Sequence, residues 1–175
     1  MRGTESYHVG RPRTITNRRL HPSPQAATIG FMKMNPLTTN PPFGVALGFE
    51  FLSADGGKLI MRTPYAEHLI GDPDTGVIHG GVITAMLDNA CGRAVHLARV
   101  AAGRDDEGAI ATLDLRIDYM SSAEPGKDLY GEAYCYRLTR HVAFVRASAY
   151  TDTIEDPIAT AVGAFMLGTA SERRQ

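Results

Sequence analysis

Apolar residues recur along this chain with two different periods. From Gly81 to about Ala102 they fall at Val82, Ile83, Met86, Leu87, Ala90, Ala94, Val95, Leu97 and Ala98. That spacing covers one wide face of a helix of about 20 residues, and Gly103 stands where a C-terminal cap is expected. After it the period drops to two. Ala109 to Met120 alternates, with Ala111, Leu113, Leu115, Ile117 and Tyr119 on one side and Thr112, Asp114, Arg116 and Asp118 on the other, the pattern of a half-buried strand. Three more β-prone runs follow, Leu129 to Leu138, Val142 to Asp152 and Ile158 to Leu167. Before the helix, Phe49 to Ser53 and Lys58 to Thr63 flank Asp55-Gly56-Gly57, a hairpin signature. Residues 35–45 read as a short helix or loop. Residues 64–78, with Pro64, Gly71, Pro73 and Gly76, read as an irregular loop shaping a pocket. Short links between the later strands require antiparallel pairing. The expectation is an α+β domain in two layers, one antiparallel sheet wrapped around one long helix.

The helical run carries an acid, Asp88, well inside its apolar pattern, and His79-Gly80-Gly81 stands immediately ahead of it. A carboxylate among apolar neighbours is costly unless it is paired or used. Consecutive glycines let another group approach the backbone, at a helix N-terminus with free N–H groups and a partial positive charge. Amides aimed at an electron-rich oxygen, with a carboxylate on the same element, suit acyl transfer or hydrolysis. Each residue also has a purely architectural reading. Asp88 could bond a neighbouring amide or Arg, the glycines could serve close packing, His79 could orient its loop, and Thr112 could be an ordinary strand threonine. His96, alone on an apolar helix, reads as a core residue.

The chain has 175 residues and a net charge of −1, so no overall nucleic-acid or membrane role is indicated. No apolar run is long enough to span a bilayer. Charge is uneven: Arg2, Arg11, Arg13, Arg18, Arg19 and Lys33 face one acid, Glu5, in the first 36 residues. Residues 1–34 therefore read as a basic, disordered leader. A targeting peptide and upstream sequence ahead of a later start at Met32 or Met34 are the competing readings. Residues 35–170 form the expected domain, and 171–175 a polar tail. Two cysteines, Cys91 and Cys135, show no metal-ligand spacing, so neither zinc nor any other metal is expected. Free thiols fit a reducing, cytoplasmic setting.

His79-Gly80-Gly81, with an acid nine residues after the His on the long helix, resembles the hotdog-fold acyl-CoA thioesterases. The phenylacetate-degradation type and the human thioesterase superfamily members are the most similar groups. Leu113-Asp114-Leu115-Arg116-Ile117-Asp118-Tyr119-Met120, followed by Ser121, is similar to that group's third strand. The resemblance covers about residues 40–168. It implies a hotdog fold and hydrolysis of an acyl-CoA thioester to acid and coenzyme A, with no cofactor. It implies that Asp88 is general base or nucleophile, that the Gly80 N–H polarises the carbonyl beside His79, and that Thr112 assists the attacking water. Gly81, Tyr119 and Asp72 would meet the substrate. Arg137, Arg140 and His141 would meet the phosphates of coenzyme A. Relatives often carry Asn or Gln six residues before the His, where this chain has Pro73, and Asp72 substitutes only with a one-residue shift.

Gly80 and Asp88 stand eight residues apart, about 12 Å along a helix, too far to share one carbonyl carbon. Two antiparallel copies of the helix resolve this, giving a homodimer with the site between protomers; a dimer of dimers, a homotetramer, is common in the family. A non-catalytic module that binds acyl thioesters as sensor or scaffold is the alternative. The acyl group is left open among aromatic, medium-chain and branched types.

Overall fold

The computed structural model describes residues 39–104 and 108–168. The leader, the tail and the acidic turn at 105–107 lie outside the described residues. A short helix α1 (Pro42–Ala46) enters the fold. Strands β1 (Glu50–Asp55) and β2 (Lys58–Thr63) then form the expected hairpin, in register at Asp55 and Lys58. The segment expected to be an irregular loop is ordered instead. A 3-10 turn (Glu67–Leu69) leads into a separate two-stranded ribbon, β3 (Ile70–Asp72) with β4 (Val77–Ile78). The turn between them is built by Asp72, whose carboxylate oxygens accept the Asp74 N–H at 3.1 Å and the Thr75 hydroxyl at 2.8 Å.

The long helix α2 runs without interruption from Gly80 to Ala101. It closes on the Gly103 N–H bonding the Val100 carbonyl and the Arg104 N–H bonding the Arg99 carbonyl, the paired bonds of a Schellman cap. Four strands follow: β5 (Ile110–Tyr119), β6 (Leu129–Leu138), β7 (Val142–Tyr150) and β8 (Ala159–Leu167). With β1 and β2 they make a six-stranded antiparallel sheet in the order β1-β2-β6-β7-β8-β5. Among the described residues strand β5 thus lies at an edge, bonded only to β8, three places from the β6 that follows it in the chain.

The sheet covers α2 with small residues. Ala133, Ala143, Ala147, Ala149, Ala159 and Ala161 are all buried and let the helix lie close. Bulk comes from both layers: Val82, Ile83, Met86, Leu87 and Val95 of the helix are buried together with Leu59, Met61, Leu129, Val145 and Phe165 of the sheet, as interior packing density requires. At Gly131 a β-carbon would come within 3.0 Å of the Met86 methyl. Behind the helix, the buried Arg93 bonds Asn89 at 2.7 Å, the Thr39 carbonyl at 3.2 Å and the Asn40 side chain, which in turn bonds the Phe49 carbonyl. This pins the entering segment to α2. Among the described residues no helix is long and apolar enough to cross a membrane.

Candidate active site

The site grows out of the first three turns of α2 and the edge strand beside them. His79 caps the helix. Its backbone is extended, at φ −61° and ψ 132°, and its ring Nδ1 accepts the Gly81 N–H at 2.8 Å. A ring nitrogen that accepts must be unprotonated, which leaves the proton of the neutral imidazole on Nε2. Two glycines make room for this. A β-carbon on Gly81 would lie 2.9 Å from the His79 Nδ1, and one on Gly71 of β3 would lie 2.7 Å from the His79 Cα. The ribbon adds a backbone bond, from the His79 N–H to the Leu69 carbonyl at 2.8 Å. Gly71 had no assigned role in the sequence; its place in the short segment before the HGG triplet was the available signal.

With the Gly81 N–H taken by the ring and the Val82 N–H by the His79 carbonyl at 2.9 Å, the Gly80 N–H is left as the donor of the first turn without a partner among the described residues. It has the positive end of a 22-residue helix behind it.

Two turns further on, Asp88 is half-buried, and the Thr112 hydroxyl donates to its Oδ1 at 2.8 Å. Plain alternation along β5 would have sent Thr112 outward with Asp114. A β-bulge prevents this: Thr112 pairs with Phe165 and Asp114 with Ala164, so Leu113 is the extra residue. Thr112 is thereby turned to the helix side with Leu115, Ile117 and Tyr119. The partner strand accommodates the bulge at Gly163, where a β-carbon would stand 2.8 Å from the Asp114 carbonyl oxygen and 2.9 Å from Leu115 Cδ1. A glycine inside a strand pattern is the sequence mark of such a close approach, and it went unread. Asp88 also bears on Cys91, whose thiol is pushed up to about 12 by burial first and by the Asp88 carboxylate second, so Cys91 stays a neutral thiol.

Tyr119, at the far end of β5, donates its hydroxyl to the Gly80 carbonyl at 2.8 Å and lies 2.6 Å from the Thr84 hydroxyl. The other expected contacts are dispersed. Asp72 is exposed and serves its own turn. Arg137, Arg140 and His141 are exposed around the β6–β7 turn, which Arg104 ties down by bonding the Thr139 and Arg140 carbonyls, each at 2.8 Å. Strand register puts that turn at the Asp88 end of the site, since Thr112 pairs with Phe165 and Phe165 with Ala143. His68 bonds the Ala46 carbonyl at 3.1 Å.

Gly80 and Asp88 therefore belong to one continuous helix, and their contacts on β5, Tyr119 and Thr112, are seven residues apart. The flank of the site is open: Leu113, Tyr119 and Met120 are 56 %, 50 % and 54 % exposed. A cavity of about 330 Å³ lies on the other face of the sheet, lined by Glu132, Tyr134, Arg146, Ser148, Thr160 and Val162 among others. None of the site residues lines it. Among the described residues no cluster of side chains has the makings of a metal site.

Comparison with known proteins bears on this geometry. The model of the thioesterase superfamily matches residues 75–158, the stretch that holds α2, β5, β6 and β7. A protein of Halobacterium salinarum, provisionally named an esterase, is 33 % identical over 121 residues, which are 67 % of this chain and 77 % of that protein. A protein of Pseudomonas aeruginosa solved by crystallography is 46 % identical with a TM-score of 0.62, over 71 % of this chain and 88 % of that one. A phenylacetic acid degradation-related protein of Ralstonia eutropha JMP134, provisionally named a thioesterase, is 26 % identical with a TM-score of 0.61, over 74 % and 92 %.

Proposed function

The chain belongs to the thioesterase superfamily, and from that premise we propose that it hydrolyses an acyl-CoA thioester at a site made by Asp88 of one protomer and Gly80 of another. Thioester hydrolysis is the general chemistry that membership supports. One observation carries the finer reading: a half-buried carboxylate, oriented through one oxygen by a hydroxyl from the next strand, stands on the same helix as an unpartnered N–H at its positive end.

The Gly80 N–H polarises the thioester oxygen and holds the negative charge that develops there, a donor whose loss typically costs roughly 100–1000-fold in rate. Thr112 occupies Oδ1 of Asp88, which directs Oδ2 at the reacting centre. Asp88 takes a proton from water as the water oxygen bonds the carbonyl carbon, or attacks that carbon itself. The tetrahedral intermediate collapses, the carbon–sulfur bond breaks, and the thiolate of coenzyme A leaves with the proton that Asp88 took from water; on the direct-attack route the thiolate leaves an Asp88 acyl anhydride, which water then cleaves to the free acid and the carboxylate while its other proton goes to the thiolate. Thr112 is read here as a positioner of Asp88, a different task from assisting water directly.

Eight helical residues separate the two groups by about 12 Å, whereas a reacting atom must sit about 3 Å from each. The edge of β5, ten residues long and unpaired among the described residues, supports a partner chain at this point, because an unpaired strand edge is a template for pairing. Two antiparallel copies of α2 beside each other would bring each Gly80 to the other's Asp88.

The test is thiol release from a panel of aromatic, medium-chain and branched acyl-CoAs, with the native chain and with Asp88→Asn. Release by the native chain and its loss in the variant is the expected result. Tight binding without release in both would replace the hydrolase with an acyl-thioester sensor.

A further inference from the structure

The peptide joining Gly80 to Gly81 is gripped at both ends by side chains. Its N–H, on Gly81, bonds the His79 ring at 2.8 Å. Its carbonyl, on Gly80, accepts the Tyr119 hydroxyl at 2.8 Å, and the Thr84 hydroxyl, 3.2 Å from the same carbonyl, donates its one proton to the Tyr119 oxygen at 2.6 Å. Three side chains from two elements thus converge on one backbone unit.

Satisfying an orphaned group does not explain the carbonyl end. Gly80 is the first residue of α2, and its carbonyl faces the helical ladder, where the residue four along supplies an N–H. Orphan carbonyls belong to the other end of a helix. A tyrosine hydroxyl donated to a carbonyl at this end, and itself held by a threonine, serves orientation. The need for it is local. Two successive glycines form the softest backbone available to a chain, and the direction of the Gly80 N–H follows the torsions on either side of the Gly80 α-carbon. The Tyr119 ring also walls this point, since a β-carbon on Gly80 would touch it at 3.6 Å.

We infer that Tyr119, with Thr84 and the His79 ring, is a positioning device that locks the Gly80–Gly81 peptide and so aims the Gly80 N–H. This rests on the reading of that N–H as the carbonyl-polarising donor. It assigns Tyr119 a task other than substrate contact: its hydroxyl is spent on the backbone of its own chain. It also accounts for an acid-free pairing of a tyrosine and a threonine on an exposed flank, which has little value for stability. Strand β5 then serves the site at both ends, Thr112 holding the carboxylate and Tyr119 holding the donor.

Tyr119→Phe keeps the ring and deletes the hydroxyl; Thr84→Val does the same for the second hydroxyl. In steady-state hydrolysis each should lower kcat with KM unchanged, and the double variant should lose about tenfold, part of what full loss of such a donor costs. The full-length chain labelled with nitrogen-15 gives an independent readout without substrate. The Gly80 and Gly81 amide signals should move in both variants, while the Thr112 amide stays. A rise in KM at constant kcat overturns the inference in favour of substrate contact. Unmoved glycine signals in an active protein overturn the lock alone. Moved signals in the variants, beside a native chain that hydrolyses no acyl-CoA, overturn the hydrolase reading and, with it, the purpose assigned to the lock.

Discussion

Replacing Gly163 with alanine tests how β5 delivers Thr112 to Asp88. The backbone at Gly163 is open to any residue, so on chain entropy alone alanine would stabilise by about 0.4–1 kcal/mol. Sterics oppose this. The new methyl would stand 2.8 Å from the Asp114 carbonyl oxygen and 2.9 Å from Leu115 Cδ1. The leucine tip can swing aside. The carbonyl cannot, because Asp114 is the residue at which the strand resumes register after the bulge. Overpacking of this kind costs about 1–3 kcal/mol, so the net effect is destabilising, by about 1–2 kcal/mol in a urea or guanidinium melt. The easiest relief is to push β5 away or to flatten the bulge, and either draws Thr112 from Asp88. A hydrogen bond to a charged group contributes about 1.5–3 kcal/mol, so hydrolysis should fall roughly 10- to 100-fold. The ceiling is set by Thr112→Val, which removes the bond outright. In a Thr112→Val background, Gly163→Ala should lower activity no further, since both act on one contact. A Gly163→Ala chain as stable and as active as the native one would refute the argument. So would a full additional loss in the double variant, which would mean that Gly163 acts on something other than Thr112.

The remaining predictions concern the donor, the dimer and the core. Gly80→Pro removes the proposed donor N–H at the helix position where proline is best tolerated, and His79, at ψ 132°, already has the backbone a following proline requires; activity should fall roughly 100–1000-fold with little change in melting. Mixing unfolded and refolded Gly80→Pro and Asp88→Asn chains should restore about a quarter of native activity, because half the dimers are mixed and each holds one intact site; no recovery would place the whole site in one chain. Leu87→Ala, at a fully buried position against the sheet, should cost about 2–5 kcal/mol in chemical denaturation. The Cys91 thiol titrates near 12 in the fold against an ordinary 9.0, so the folded chain holds its proton where the unfolded chain releases it. Stability from this source is complete below about pH 9 and falls as pH climbs toward 12, by about 1.4 kcal/mol for each unit; Cys91→Ala should flatten that alkaline slope.

Much of this protein was legible one residue after another. The 3.6-residue spacing from Val82 to Ala98 marks a helix because that period is a property of the local backbone. The alternation in the later strands and the Asp55-Gly56-Gly57 hairpin are equally local. His79-Gly80-Gly81 and Asp88 could be read for the same reason: a cap, a free amide and an inward acid on one helix are separated by a fixed rise. The ribbon at Ile70–Asp72 and Val77–Ile78 escaped that reading because its strands are two or three residues long, too short for any period to show.

What tertiary structure alone decided lies where two distant stretches meet. Strand order is one such outcome: β5 pairs with β8 at an edge, and no pattern within β5 states which neighbour it takes. The bulge at Leu113 is another. Alternation sends Thr112 to solvent, and it is a glycine on another strand, Gly163, that admits the extra residue and turns the hydroxyl onto Asp88. Tyr119 shows the same division. Its residue type and its face follow from the sequence, but its bond to Gly80, 39 residues earlier, depends on where the strand crosses the helix. Periodicity reports the face that a residue occupies on its own element. Contacts between elements depend on registers and crossing angles, which are settled by how the whole sheet closes around one helix.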